Sequence, residues 1–98
     1  MGNVSGSVLF SDVTICKGAT VEYSILMPGA VVEPGAVVRY SIVAENARIC
    51  ENAQVGASPS DGEIENWGVA VVAAEVRVGR GAKLGAKEMA GEDLPDMI

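Results

Sequence analysis

Few residues in this chain are equipped for chemistry. There is no histidine among the 98 residues, which removes the side chain that most often serves as general base or metal ligand near neutral pH. The two thiols, Cys16 and Cys50, stand far apart and in no CxxC or comparable ligand spacing, so neither a metal site nor a redox pair is expected. The cations gather towards the C-terminal end, where Arg77, Arg80, Lys83 and Lys87 are four of the seven Lys and Arg residues. The run Gly79-Arg80-Gly81-Ala82-Lys83-Leu84-Gly85 superficially resembles a phosphate-cradling loop, but no helix is expected to follow it, and such a loop works by delivering phosphate to a helix N-terminus. What remains is a local basic cluster in an acidic protein. Arg77, Arg80 and Lys83 are the candidates there for receiving an anionic effector, with a solvated rim as the plain alternative.

The balance of charge and length narrows the classes further. A formal net charge of −6 argues against nucleic acid, whose phosphates call for clustered cations in excess. No apolar run approaches the roughly 20 residues needed to span a bilayer, and no signal-peptide pattern opens the chain, so a cytoplasmic location away from membranes is expected. The length suits one small domain, with no room for a catalytic domain beside it. Hydrophobic residues make up 49% of the chain but aromatics only 4%, which predicts a thin, aliphatic, repetitive core.

The elements that position these residues show in the spacing of the aliphatics. Between Leu26 and Val55 they return at Leu26, Val32, Val38, Val43, Ile49 and Val55, in steps of 6, 6, 5, 6 and 6. Neither a helix of period 3.6 nor an alternating strand produces this, whereas a hexad carried over many turns is the signature of a parallel β-helix. Extended backwards through Val21, Ile15, Leu9 and Val4, the pattern closes on a 17-residue coil with three faces. Residues 4–20, 21–37 and 38–54 are predicted as successive coils.

Two further periodicities support the coil. Four positions after each repeat residue stand Val8, Val13, Ala19, Ile25, Ala30, Ala36, Ile42, Ala47 and Ala53, small or aliphatic residues suited to prism corners. Three positions after it, in the six-residue segments, stand Asp12, Gly18, Gly29, Gly35, Asn46 and Asn52, which tolerate the positive φ of a tight turn. Residues one coil apart should stack at the usual strand spacing, placing Ser7, Ser24 and Ser41 in one column and Tyr23 beside Tyr40 in the next. The column reads as a hydroxyl ladder with an outward aromatic pair. Its functional counterpart is a docking patch comprising Tyr23, Tyr40 and the lone tryptophan, Trp67. Cys16 and Cys50 share a column two coils apart, roughly 9–10 Å, beyond the reach of a disulfide, so both are expected as free thiols.

The boundaries follow. Residues 4–56 form regular coils, and the polar stretch 57–68 is an inserted loop at a coil corner. Residues 69–88, with repeat positions Val72, Val78 and Leu84, form the last coil. The tail, residues 89–98, shows no periodicity and is expected to cap the open end or fray. The whole of 1–98 is thus one domain of about four three-sided coils.

The stretch Ser24 to Gly56 carries an SI-x-MPGA turn, a V-x-x-(A/S)-I-(V/I) segment and an (A/G)EN turn. With the interrupting Trp67-Gly68-Val69-Ala70-Val71-Val72 segment and the GxGA turn at 79–82, the chain resembles the C-terminal hexapeptide-repeat domain of bacterial glucose-1-phosphate adenylyltransferase, also called ADP-glucose pyrophosphorylase. The resemblance implies a left-handed coil and a parent enzyme that makes ADP-glucose for glycogen synthesis from ATP, with Mg2+, and glucose 1-phosphate. The parent's own N-terminal catalytic domain would carry the glycine-rich nucleotide loop, the catalytic aspartate and the sugar-phosphate lysine, none of which is present here. The chain's roles would then be homo-oligomerisation and transmission of signals from a sugar-phosphate effector, without catalysis and without a cofactor of its own. Other hexapeptide β-helices resemble acyltransferases that use a histidine base, or carbonic anhydrases that hold zinc with three histidines, and the lack of histidine sets both aside. Two alternatives stand beside the adenylyltransferase: a stand-alone β-helix scaffold or interaction module, and the same domain of another sugar-nucleotide pyrophosphorylase such as a mannose-1-phosphate guanylyltransferase.

Overall fold

A computed structural model describes residues 2–56, 68–85 and 87–97. Short parallel strands wind into a three-sided β-helix, the left-handed hexapeptide-repeat fold expected from the spacing and the resemblance. One face stacks β1 (Asn3–Ser5), β4 (Thr20–Glu22), β7 (Val37–Arg39), β10 (Gln54–Val55) and β13 (Lys83–Leu84). A second stacks β2 (Val8–Leu9), β5 (Ile25–Leu26), β8 (Ser41–Val43), β11 (Ala70–Val72) and β14 (Met89–Ala90), and the third stacks β3 (Thr14–Ile15), β6 (Val31–Val32), β9 (Arg48–Ile49) and β12 (Arg77–Val78). Val4 pairs with Val21, Val21 with Val38, and Val38 with Val55, which is the coil that the spacing predicts. Val55 then pairs with Leu84 and Val43 with Val72, so this coil is longer than the others by the length of the predicted insertion at 57–68.

The repeat residues fill the prism. Val21, Leu26, Val32, Val38, Val43, Ile49, Val55, Val72 and Val78 are all fully buried. Burying one such side chain contributes about 1.5–3 kcal/mol, and stacking identical layers repeats that gain for every coil. Leu9 is still 36% exposed because it stands in the end coil, with a neighbour on one side only.

The corners correct one expectation. Val8, Ile25 and Ile42, read as corner residues of the five-residue segments, lie on the outer surface: Val8 is 54% and Ile25 36% exposed, and Ile42 is half-buried. The buried corner residues are instead Ser24 and Ser41. The reason is that side chains alternate along a strand, so the corner is set by counting back from the strand that follows it. Two positions before each repeat residue the side chain turns inward (Ala30, Ala36, Ala47, Ala53, Ser24, Ser41). Three positions before it φ is positive, as at Asp12, Gly18, Gly29, Gly35, Asn46 and Asn52, and also at Gly6, Tyr23, Tyr40, Glu75, Gly81 and Lys87. The shorter segments have lost a residue from the turn itself.

The serines follow from that loss. In a six-residue corner the corner N–H closes the turn on the carbonyl three positions back, as Ala30 does on Met27 at 3.2 Å and Ala36 on Glu33 at 3.2 Å. In the five-residue corners the N–H of Ser24 instead donates to Ser7 Oγ at 3.1 Å, and that of Ser41 to Ser24 Oγ at 3.2 Å. Each hydroxyl in turn donates two positions back, Ser24 to the Glu22 carbonyl at 2.8 Å and Ser41 to that of Arg39 at 2.6 Å. The hydroxyl ladder expected from the sequence therefore satisfies backbone donors that the tighter turn would strand.

The end of the chain departs from the aperiodic tail expected for 89–98. Met89 and Ala90 pair with Val71 and Val72 as β14, and Leu94 bridges Val78. Ala90 is buried and Leu94 packs against the core. The repeat was hidden because the step from Val71 to Met89 is one residue longer than a regular coil and that from Val78 to Leu94 one residue shorter. Ala90 is also smaller than a usual repeat residue.

Candidate functional site

Of the three faces, one is apolar on its outside. The strands of the β2–β5–β8–β11–β14 face contain no charged residue, whereas the other two faces carry Glu22, Arg39 and Lys83, and Arg48 and Arg77. Register places Val8, Ile25, Ile42, Val71 and Met89 in one outward column across the five stacked strands. Met89 is 68% exposed. Tyr23 and Tyr40 stand at the corner leading into this face, their rings stacked with centroids 5.0 Å apart and planes at 24°. Gly6 sits under them: a Cβ there would meet the Tyr23 ring at 2.6 Å, so the first coil supplies the space the aromatic pair needs. Both tyrosines take positive φ, which aims the rings outward. Trp67, the third residue expected in this patch, lies outside the described residues. The aliphatic column is visible in the sequence at Val8, Ile25 and Ile42, but the shortened turn points these side chains outward rather than into the corners.

The cations form a separate site at the C-terminal end. Arg77 and Arg80 come together on one carboxylate, that of Asp96. Its Oδ1 accepts the Arg80 backbone N–H at 2.7 Å and Arg77 Nη2 at 3.1 Å. Its Oδ2 accepts Arg80 Nε at 3.3 Å and Nη2 at 3.2 Å. These donors, the backbone N–H foremost, hold the Asp96 carboxyl below the usual carboxylate range. Asp93 Oδ1 accepts the Arg77 backbone N–H at 2.8 Å, in the place a strand carbonyl would take on a further coil. Lys83 lines an adjoining concavity of about 440 Å³ with Gly81, Ala82, Leu94, Pro95 and Met97. Lys87 lies at another corner, its N–H on the Gly68 carbonyl at 2.8 Å. Sequence reasoning missed both aspartates, although each stands close to one coil beyond its arginine.

Among the described residues nothing around the thiols suits catalysis. Cys16 and Cys50 are free, as expected, and Cys50 is buried. Burial pushes the Cys50 thiol up, the Glu33 carboxylate adds to the rise, and Arg77 and Arg48 oppose it. A raised thiol pKa disfavours the nucleophilic thiolate. Among the described residues no group of three or more Cys, Asp or Glu side chains is placed to hold a metal ion. Nor is any helix there long and apolar enough to cross a membrane.

Comparison with known proteins accords with this arrangement. Among curated proteins no significant match to the chain is found. A family model described as GlmU-like, C-terminal hexapeptide, matches residues 1–70, which take in the regular coils, the insertion and the first residue of β11. With the repeating three-sided coil, the buried aliphatic prism and a match over most of its length, the chain belongs to the family of GlmU-like C-terminal hexapeptide domains.

Proposed function

We propose that this chain is the non-catalytic C-terminal domain of a sugar-nucleotide transferase, and that it assembles the enzyme through the outer surface of the β2–β5–β8–β11–β14 face. The observation that carries the proposal is the outward column Val8, Ile25, Ile42, Val71 and Met89, unbroken by charge in a chain of net charge −6. Two copies meet with least repulsion on their uncharged faces, so the occupant is a second copy of the chain. Five strands stacked about 4.8 Å apart make this face small against the roughly 1,200–2,000 Å² buried in a stable complex. Association through this face alone is therefore weak, and a larger oligomer would draw on the parent's remaining surface.

The parent we infer is a glucose-1-phosphate adenylyltransferase producing ADP-glucose in the cytoplasm, with ATP and Mg2+ handled by an N-terminal catalytic domain. Support comes from the insertion before Val72 and the turn motifs of Ser24–Gly56. The corresponding domain of a mannose-1-phosphate guanylyltransferase would share the coil, and a stand-alone scaffold would share the face.

Two measurements test these statements. Sedimentation equilibrium of the chain should show weak self-association that Ile42→Glu abolishes while thermal stability is kept, since Ile42 points outward. Unchanged association removes the face from the proposal. The protein encoded by the whole reading frame should form ADP-glucose from ATP in preference to GDP-mannose from GTP. The reverse preference, or a frame without a nucleotidyltransferase domain, overturns the parentage.

A further inference from the structure

The clasp at Asp96 has the donor set of an anion site with its own chain as the occupant. A backbone N–H and two guanidinium groups converge on a single carboxylate, and Lys83 lines the adjoining concavity. We propose that this is a phosphate site, that Asp96 is its resident competitor, and that binding of a phosphate dianion or phosphomonoester releases residues 95–97 from the end of the β-helix. The proposal holds whichever nucleotidyltransferase the parent is, and it does not depend on the docking face.

The chemistry favours exchange. A phosphate group presents three acceptor oxygens and a charge of about −1.5 to −2, where a carboxylate presents two oxygens and a single charge. Arginine's fork matches either ligand, and the Arg80 N–H adds the main-chain donor typical of anion sites. Against this, Asp96 is tethered, which gives it an effective concentration on the order of millimolar. Its ion pairs are half-exposed, with the Arg77 and Arg80 side chains 44% and 47% accessible, so each is weak and easily exchanged. The concavity of about 440 Å³ leaves room for the body of a small phosphorylated molecule beside Leu94, Pro95 and Met97.

The point of release is marked by the anchors on either side. Leu94 is held by its packing on the core, by its N–H on the Arg77 carbonyl at 2.9 Å and by its carbonyl under the Gly79 N–H at 2.9 Å. Asp93 keeps the Arg77 N–H. Beyond Leu94 the chain is retained by Asp96 and by the Met97 N–H on the Arg80 carbonyl at 2.7 Å, and Met97 is 67% exposed. Loss of the Asp96 contacts therefore leaves residues 95–97 held by the single Met97–Arg80 hydrogen bond, which can then open, while Leu94 remains seated.

The test uses the full chain, inorganic phosphate as probe and residue-resolved amide exchange. In the native sequence phosphate should speed exchange at Met97 and leave Leu94 protected, and sodium chloride at equal ionic strength should not. Asp96→Asn removes the competitor's charge, so phosphate should bind about fivefold more tightly to it. Arg80→Ala should lose most of the binding. Protection at Val38 and Val55 serves as the check that every variant is folded. The proposal is overturned if phosphate binds neither protein, if Asp96→Asn binds it no better than the native chain, if Met97 is indifferent to bound phosphate, or if chloride has the same effect. None of these outcomes touches the assembly face, whose test reads self-association.

Discussion

Ser24 Oγ accepts the backbone N–H of Ser41 at 3.2 Å and donates to the Glu22 carbonyl at 2.8 Å, so one hydroxyl satisfies two backbone groups in adjacent coils. Ser24 and Ser41 are both buried, which leaves water no easy access to a stranded donor. Ser24→Ala should cost about 1–3 kcal/mol in a urea titration, the usual penalty of an unsatisfied buried group. A change below about 0.5 kcal/mol, less than a typical net hydrogen bond, would mean that the five-residue corner finds another acceptor.

Glycines 18 and 35 both have positive φ, 86° and 76°, but differ in their surroundings. A Cβ on Gly18 would meet nothing nearer than the Gly35 nitrogen at 3.7 Å, while one on Gly35 would run into the Asn52 side-chain oxygen. Gly18→Ala should therefore cost about 1–2 kcal/mol, the left-handed backbone penalty alone. Gly35→Ala should cost more, because Asn52 must move as well. Equal losses in parallel thermal melts would show that Asn52 yields freely.

Acid should loosen the clasp before it unwinds the coils. The Asp96 carboxyl is lowered by Arg80, its backbone N–H foremost, and by Arg77, while Asp93 Oδ1 accepts the Arg77 backbone N–H close by. A carboxyl depressed on folding stabilises fully above its unfolded value of about 3.9, and that stabilisation disappears as pH falls through the lower folded-state value. Protection of the Met97 amide should thus be flat from neutral pH down to about 5 and fall only below about 4. In Asp96→Asn the same amide should be poorly protected at every pH. A titration midpoint at or above the ordinary carboxylate value would contradict the clasp.

The two thiols should separate in a labelling experiment. Cys50 is 1% exposed with a raised pKa, while Cys16 is half-buried in the first coil. At a pH of about 8 one thiol per chain should react with a disulfide reagent promptly and the second only after denaturant is added, since a buried thiol waits for local opening. Equal native rates, or a disulfide formed on mild oxidation, would refute the column geometry.

Much of the fold was legible because it is written over and over. Each coil repeats the demand for an inward aliphatic, a small inward corner and a residue that accepts positive φ, so Val21, Val38 and Val55, or Gly18, Gly35 and Asn52, testify to one local geometry many times. The cross-coil pairing then requires only the strand spacing, and the serine column follows from it. What sequence alone left undecided are the places where the hexad is broken. The direction of Val8, Ile25 and Ile42 depends on where the short turn loses its residue, and a change of one position moves a side chain to the opposite surface. The partner of Arg77 and Arg80 depends on the path of the chain around β14, where one step is a residue too long and the next a residue too short for the register that made the rest readable. Local turn chemistry is encoded at every corner, whereas the choice of which carboxylate meets which guanidinium is made only when the last coil closes over the one before it.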